Sequence, residues 1–355
     1  MKPHDITITD IADRLGITHS TVSRALSPDK GRPRMSAETR ERIVQTAKEL
    51  GYRPNGLARD LVRRRTFTVG VIVRHFNDPF YSDMIQELHV RFVQKNYLGI
   101  FFSARNLDEF QHAVKSLTSR RVEGIISVAL DPEERQHMAQ INVPIVYYGT
   151  LDHTETWVGP DAKRGTILAL EHLIELGHRK IGYIGQVDPQ NRRYRGFQQV
   201  LRTENLPRSD HWIQQVDAMR PRLSVSGIMQ TGYDAMRRLL GHNDRPTATL
   251  CQNDVMAIGA ERAILASGLR VPEDMALIGF DGLAMGEHAT VPLTSVDPGL
   301  DGVVEHLVDT LFQRIKAPKT TPPVQIPIES RLVIRESTIG CKTQTTDTDN
   351  RSRTA

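Results

Sequence analysis

Two groups of residues in this sequence are of the right type and spacing to do chemistry. Near the N-terminus, ITHSTVSRAL (17–26) sets four hydroxyls, one imidazole and one guanidinium around Val22, Ala25 and Leu26. Those three apolar residues share one face at helical spacing, which leaves Thr18, His19, Ser20, Thr21, Ser23 and Arg24 for outside contacts. A guanidinium pairs bidentately with guanine O6 and N7, and short hydroxyl side chains reach phosphates or base edges. The bland alternative is a structural bundle whose polar face is merely solvated. Further along, polar and aromatic residues follow directly on apolar, strand-like runs: Phe80 and Tyr81, Asp161, Arg193, Asn253 and Asp281. Ligands of open α/β sheets sit at the carboxyl ends of strands, so these six are candidate ligand contacts. An aromatic there stacks on a sugar or base, or only plugs a cleft. Asn253 or its neighbour Asp254 is equally suited to capping a helix. Arg192 and Arg195 compete with Arg193 for its place, and a carboxylate such as Asp281 accepts paired hydroxyl hydrogen bonds.

The first group needs a small helical domain to hold it. TITDIADRL (7–15) places Ile8, Ile11, Ala12 and Leu15 on one stripe behind a Thr7 cap, and Gly16 breaks the pattern. Thr18 caps a second helix, His19 to Leu26, and a third runs from a Ser36 cap through Ile43, Val44, Ala47 and Leu50 to Gly51. Two short helices joined through a glycine turn, with a third closing the core, form a helix-turn-helix whose second helix enters the major groove. GYRPNGLARDLVRRRT (51–66) predicts a short helix from Pro54, with Leu57, Ala58 and Leu61 on one face and arginines on the others. It is too short to be stable alone and reads as a hinge that orders against a partner; an exposed leucine beside arginines suits a minor-groove wedge.

The second group needs α/β lobes. Apolar runs at 68–73, 98–104, 123–129 and 144–149 alternate with helical patterns, and the alternation repeats at 180–185, 247–253 and 275–282. Two such sets predict two parallel-sheet lobes with a cleft between them. The expected boundaries are a helix-turn-helix domain at 1–52, a hinge at 53–66 and an effector domain at 67–340, followed by a disordered tail at 341–355. Within the effector domain the first lobe is expected at 67–163 and 297–322 and the second at 164–296 and 323–340, with Pro318, Pro322 and Pro323 marking the last crossing and 329–337 a closing strand.

TITDIADRLGITHSTVSRAL, SAETRERI and ELGYRPNGLARDL resemble the head and hinge of the lactose-repressor (LacI/GalR) family of bacterial transcription regulators. NDPFYSDMIQEL, EHLIELGHRKIGYIG, RRYRGF, NDVMAIGA and VPEDMALIGFDG extend the likeness through the body, from about residue 6 to 340. The resemblance implies a helix-turn-helix domain and hinge helix followed by a two-lobed, periplasmic-binding-protein-like α/β effector domain. It puts Thr18, His19, Ser20 and Arg24 on base- and phosphate-reading positions and Leu61 on the wedging leucine, with Asn55, Leu57, Ala58 and Arg59 beside it in the hinge. It puts Phe80, Tyr81, Asp161, Arg193, Asn253 and Asp281 on effector-contacting positions. The chain departs from the family at SPDKGRPRM (27–35), a longer loop in which Lys30, Arg32 and Arg34 offer phosphate contacts. It departs again at DAMRPRLSVS (217–226), which lacks the aromatic of many sugar-binding members and brings Leu223 to that part of the pocket.

Charge agrees with this division. Residues 1–66 hold 14 Lys and Arg against 8 Asp and Glu, a balance of +6, whereas the remainder holds 32 against 34, or −2. A basic end on a near-neutral body predicts a polyanion partner; the family resemblance implies that this is double-stranded DNA with a pseudo-palindromic operator read by a homodimer. Cys251 and Cys341 are far apart with no metal-ligand spacing, so neither a disulfide framework nor a metal site is expected. No nucleotide-binding glycine motif, zinc-protease helix or nucleophile elbow occurs, and no cofactor or enzymatic activity is expected. No apolar run reaches membrane-spanning length and the N-terminus has no leader-like apolar stretch, so a cytoplasmic location is expected. The same features weigh against a secreted solute-binding protein. The expected effector is a small polar metabolite, a sugar or sugar derivative, with a nucleobase corepressor as the alternative.

Overall fold

A computed structural model of the chain describes residues 6–26, 35–52, 65–128, 131–149, 154–216, 224–317 and 322–340. The chain divides after Thr66 into two units. The first consists of α1 (Ile8–Leu15), α2 (His19–Leu26) and α3 (Ala37–Glu49). Thr7 and Asp10 cap α1 reciprocally, each side chain accepting from the other's backbone N–H, which satisfies two donors that a helix start leaves open. Gly16, at φ +65°, then turns the chain out of the helix as a left-handed cap. The Thr18 hydroxyl accepts from Thr21 N–H at 3.3 Å and starts α2, and Ser36 does the same for α3 through Thr39 N–H at 3.2 Å. Ile11, Ala12, Val22, Ala25, Ile43 and Ala47 form the buried core. Arg40 Nε donates to the Ala25 carbonyl, so α3 also holds the end of α2.

The second unit contains two six-stranded sheets. β1 (Thr68–Val73), β2 (Leu98–Ser103), β3 (Gly124–Val128), β4 (Ile145–Tyr148), β5 (Trp157–Pro160) and β11 (Gln325–Ile328) form the first, in the order β11-β5-β4-β3-β1-β2. β6 (Ile181–Gly185), β7 (Ile213–Gln215), β8 (Ala248–Cys251), β9 (Ala276–Phe280), β10 (Thr294–Asp297) and β12 (Arg331–Val333) form the second, in the order β12-β10-β9-β8-β6-β7. All pairings are parallel except β10 with β12. Strands β1, β3, β6 and β9 are buried along their whole length, as expected where helices cover both faces of a sheet.

The helices are α4 (Pro79–Gln94), α5 (Leu107–Ser119), α6 (Pro132–Met138), α7 (Ala162–Glu175), α8 (Arg192–Thr203), α9 (Val225–Leu240), α10 (Asp254–Ala266), α11 (Leu300–Lys316) and α12 (Glu336–Ile339). Helix α11 packs on the first lobe: Val303, Val304, Leu307, Val308 and Leu311 are buried, and Asp309 pairs with Lys95 of α4 at 2.9 Å.

The last crossing falls later than the sequence reading placed it. Gln325–Ile328 pairs with β5 in the first sheet, so the chain leaves that lobe between Ile328 and Arg331, not near residue 322. Pro327 hides this strand from pattern reading, yet an edge strand with one neighbour tolerates a residue that cannot donate. The closing strand is correspondingly shorter than 329–337: only Arg331–Val333 pairs, and Glu336–Ile339 is helical. The inserted loop with Lys30, Arg32 and Arg34, the hinge with Asn55, Leu57, Ala58, Arg59 and Leu61, Leu223, Pro318 and the tail from 341 lie outside the described residues.

In the second lobe α9 and α10 pack through two glycines. A Cβ on Gly232 would strike the Met256 carbonyl oxygen, and one on Gly259 the Met229 carbonyl oxygen, so only glycine permits this approach of two backbones. Gly259→Ala is therefore expected to lower unfolding stability by about 1–3 kcal/mol through overpacking. Urea denaturation checks this, and a variant as stable as the parent contradicts it.

Candidate functional site

In each sheet the strand order reverses beside the first strand, at β1/β3 and at β6/β8, and the carboxyl ends there are where open α/β sheets bind ligands. The candidate residues lie on segments leaving the carboxyl ends of β1, β5, β6, β8 and β9. Asp78 caps α4, accepting from Phe80 N–H at 3.0 Å, with Pro79 in the first turn. This launches Phe80 and Tyr81 from the end of β1. Phe80 is buried and Tyr81 half-buried. Their rings, with centroids 5.7 Å apart, meet Tyr148 of β4 at 6.0 and 6.5 Å, the two tyrosines at right angles. Burial raises both phenol pKa values, so each hydroxyl stays protonated and can donate.

Across the cleft, Arg193 in the first turn of α8 meets Asp281 at the end of β9, with NH2 3.2 Å from Oδ1. The guanidinium also lies over the Phe280 ring, 4.0 Å from its centroid, and its buried Nε has no partner among the described residues. Asp281 is held at φ +120°, a strained backbone for a residue with a Cβ and one found at ligand clamps. Burial raises its carboxyl pKa well above the usual range, opposed by the Arg193 charge. Asp78 and Tyr81 of the first lobe both feel the Arg193 charge, and Tyr81 feels Asp281 as well, so the two lobes' groups act on each other.

Asn253 and Asp254 separate cleanly. Asn253 caps α10 through its Oδ1, which accepts from Met256 N–H at 2.8 Å. Its amide nitrogen can still donate. Asp254 is fully buried and accepts from Ser295 Oγ at 2.6 Å and Leu283 N–H at 2.7 Å. Ser295 Oγ in turn accepts from Gly282 N–H, so Asp254 anchors the loop that carries Asp281. Burial pushes its pKa up to about 6. Asp161 caps α7 through Arg164 N–H at 3.1 Å, and its own N–H donates to the Ile328 carbonyl at 2.8 Å. It thus sits where the first and last crossings meet.

In the first unit, Thr18, His19, Ser20, Ser23 and Arg24 are exposed while Val22 and Ala25 are buried. Thr21 is half-buried, its hydroxyl 2.8 Å from that of Thr18, and Arg24 Nε donates to the Ser20 carbonyl along its own helix.

Residues 7–55 match the family model for bacterial regulatory proteins of the lacI family, and residues 170–338 match the periplasmic binding protein-like domain. The HTH-type transcriptional regulator CelR of Thermobifida fusca is 30% identical over 347 residues, covering 93% of this chain and 98% of the relative. The chain belongs to the lacI family. The HTH-type transcriptional repressor PurR of Mannheimia succiniciproducens is 28% identical over 340 residues, with the same coverage of 93% and 98%. Among solved structures, the lac repressor dimer bound to operator and an anti-inducer superposes with a TM-score of 0.83 at 26% identity, covering 94% of this chain and 99% of that one.

As a lacI-family effector domain, this one has cleft residues that the sequence reading passed over. Tyr148 follows an apolar run as Phe80 does, but lies on the strand itself. Arg74 directly follows β1 and is buried. Its two terminal nitrogens bind both Glu134 oxygens at 2.8 Å, and NH2 also reaches Asp131 at 2.8 Å, fixing the turn before Phe80 to the start of α6. Among the described residues no helix is long and apolar enough to cross a membrane.

Asp254 supplies a pH test of its anchoring role. Its folded pKa is raised, so its protonated form is the one folding favours, and the associated stability is present below about pH 4 and lost as pH rises through about 6. Asp254→Asn removes this dependence. Thermal melts at pH 4–7 should show the variant gaining on the parent as pH rises, and parallel curves would contradict the burial.

Proposed function

We propose that this chain is a repressor that binds a pseudo-palindromic DNA operator as a homodimer and whose operator affinity is set by a small polar metabolite in the cleft. The observation that carries the reading is the exposed row Thr18, His19, Ser20, Ser23 and Arg24 on a helix held from behind by Val22 and Ala25. Among the described residues, the domain's buried core contains none of those side chains. Arg34 in the inserted loop and Asn55, Leu57, Ala58, Arg59 and Leu61 in the hinge are proposed as further DNA contacts. The DNA partner implies a cytoplasmic location, and the residues gathered in the cleft serve recognition, with no enzymatic role assigned to them.

The effector is proposed to be a sugar or sugar derivative. Arg193 and Asp281 present donors and an acceptor side by side, the arrangement that adjacent hydroxyls match, and Asn253 and Asp161 add polar contacts from neighbouring helix starts. The crossed Tyr81–Tyr148 pair favours one second reading, a planar nucleobase held against an aromatic face. Ligand shifts the population of lobe arrangements and so the operator-competent state, a coupling of about 1–3 kcal/mol.

Arg24→Ala is expected to weaken specific operator binding by about 1–3 kcal/mol while leaving effector binding intact. Gel-shift titration checks it, and unchanged affinity would refute the reading-helix assignment. Asp281→Asn is expected to keep operator binding and lose the effector response. Thermal-shift screening of sugars and nucleobases on parent and variant distinguishes the two ligand classes, since a cleft ligand stabilises only the parent.

A further inference from the structure

We infer that Gln252 and Gln186 are positioning residues for effector recognition: their side-chain amides form a relay from the end of β8 to the start of α8 that sets where Arg193 meets Asp281. This rests on the reading of Arg193 and Asp281 as effector contacts.

Strand β6 lies between β8 and β7, and its pairing runs as far as Ile184 against the first and Gly185 against the second. The next two residues, Gln186 and Val187, are half-buried and carry N–H groups that need partners once the chain leaves the sheet. Glutamines of the flanking strands supply them. Gln252 Oε1 accepts from Gln186 N–H, and Gln215 Oε1 accepts from Val187 N–H at 2.7 Å. Gln252 is itself buried, and its own N–H donates to the Ile184 carbonyl at 2.8 Å. A Cβ on Gly185 would lie 2.6 Å from Tyr183 Oη and 2.8 Å from Gln252 Cβ, so the strand end is closed tightly on that side chain.

The relay continues along the loop. Asn191 Nδ2 donates to Gln186 Oε1 at 3.3 Å, while Asn191 Oδ1 accepts from Tyr194 N–H at 3.1 Å as the cap of α8. Asp188 braces the same turn, its carboxylate accepting from Gln190 N–H at 2.8 Å and its carbonyl from Asn191 N–H at 2.9 Å. Arg193 stands just beyond that cap. Its head is held by the 3.2 Å contact with Asp281 and by the Phe280 face, and its Nε has no partner among the described residues. A long side chain so lightly held goes where its helix start aims it. Each link is an amide, which donates and accepts without charge. A carboxylate at either glutamine would compete with Asp281 for the guanidinium. Because Gln252 directly precedes Asn253, the relay also joins the cap of α10 to the cap of α8 and keeps two effector candidates in one register.

The test reads the Asp281 carboxyl, which the Arg193 charge holds down while Asp254 and Asp78 push it up. NMR titration of the full chain, isotope-labelled at the aspartate carboxyl carbons, follows this group, its signal assigned by its loss in Asp281→Asn. Arg193→Met should move the Asp281 titration to higher pH. Gln252→Met, Gln186→Met and Asn191→Ser each cut one link and should move it the same way, and Gln186→Met should add nothing in the Arg193→Met background. Serine keeps a capping oxygen, so Asn191→Ser separates the relay from the cap. Gln190→Ala, in the same loop but outside the relay, should leave the titration in place. An unmoved titration in the three relay variants overturns the inference, as does an equal shift in Gln190→Ala or a fully additive one in the double variant. Thermal shift with D-glucose, D-galactose, D-glucuronate and adenine reads the consequence for recognition: a probe that stabilises the parent should bind Gln186→Met at least about tenfold more weakly. Unchanged affinity beside a shifted titration overturns the role in recognition. A probe that still stabilises Arg193→Met as it does the parent overturns Arg193 as an effector contact, whereas the relay stands or falls on the titration.

Discussion

The effector domain is built on a constraint of connectivity: among the described residues its chain passes between the lobes three times, after β5, after β10 and after β11. Those links are short and mutually bonded. Asp161 N–H donates to the Ile328 carbonyl and Ser330 Oγ to the Asp161 carbonyl, joining the first crossing to the third. At the second, Asp297 accepts from Gly299 N–H at 2.8 Å and from Arg331 at 2.9 Å. Three parallel, bonded links resist sliding of one sheet past the other and leave rotation about the links as the soft motion. They also keep the carboxyl ends of both sheets on one cleft, which is why residues distant in sequence converge there.

Within that frame the cleft is costly by design. Asp281 is a half-buried carboxylate on a strained backbone, paired with a guanidinium whose own Nε has no partner among the described residues. Removing charges from water is repaid only by well-made partners, and a half-satisfied pair favours whatever polar ligand completes it. The surroundings supply rigidity: Asp254 clamps the loop behind Asp281, and the Arg74–Glu134 fork clamps the turn before Phe80. The first lobe contributes the Phe80–Tyr81–Tyr148 cluster and Asp161, and the second the Arg193–Asp281 pair over Phe280, so the candidate residues come from both lobes.

Much of this was legible in the sequence because the signals are local. Capping residues Thr7, Thr18 and Ser36 and the glycine after Leu15 mark the first two helices and the start of the third by rules that need no tertiary information. The fully apolar runs give the central strands for the same reason. What the sequence concealed depends on pairing partners. Trp157–Pro160, Thr294–Asp297 and Gln325–Ile328 are four-residue strands containing proline or polar residues, and Ser295 is tolerated in the interior because Asp254 accepts its hydroxyl. Likewise, no spacing rule distinguishes Arg193 from Arg192 or Arg195. Only the fold shows that Arg193 meets Asp281, whereas Arg192 lies near Asp161. Asn253 and Asp254 illustrate the same limit, since adjacent residues at one helix start were given opposite tasks by burial.

The central claim is that a reading helix and a ligand clamp are coupled in one chain. The most direct measurement selects bound duplexes from a random-sequence pool, then titrates the selected site with and without a saturating cleft ligand. The account predicts a two-fold symmetric pair of half-sites whose affinity changes by about 5–150-fold on ligand addition, in either direction. A pool with no enriched sequence, or an enriched site whose affinity is unmoved by a ligand that does bind the cleft, would contradict it.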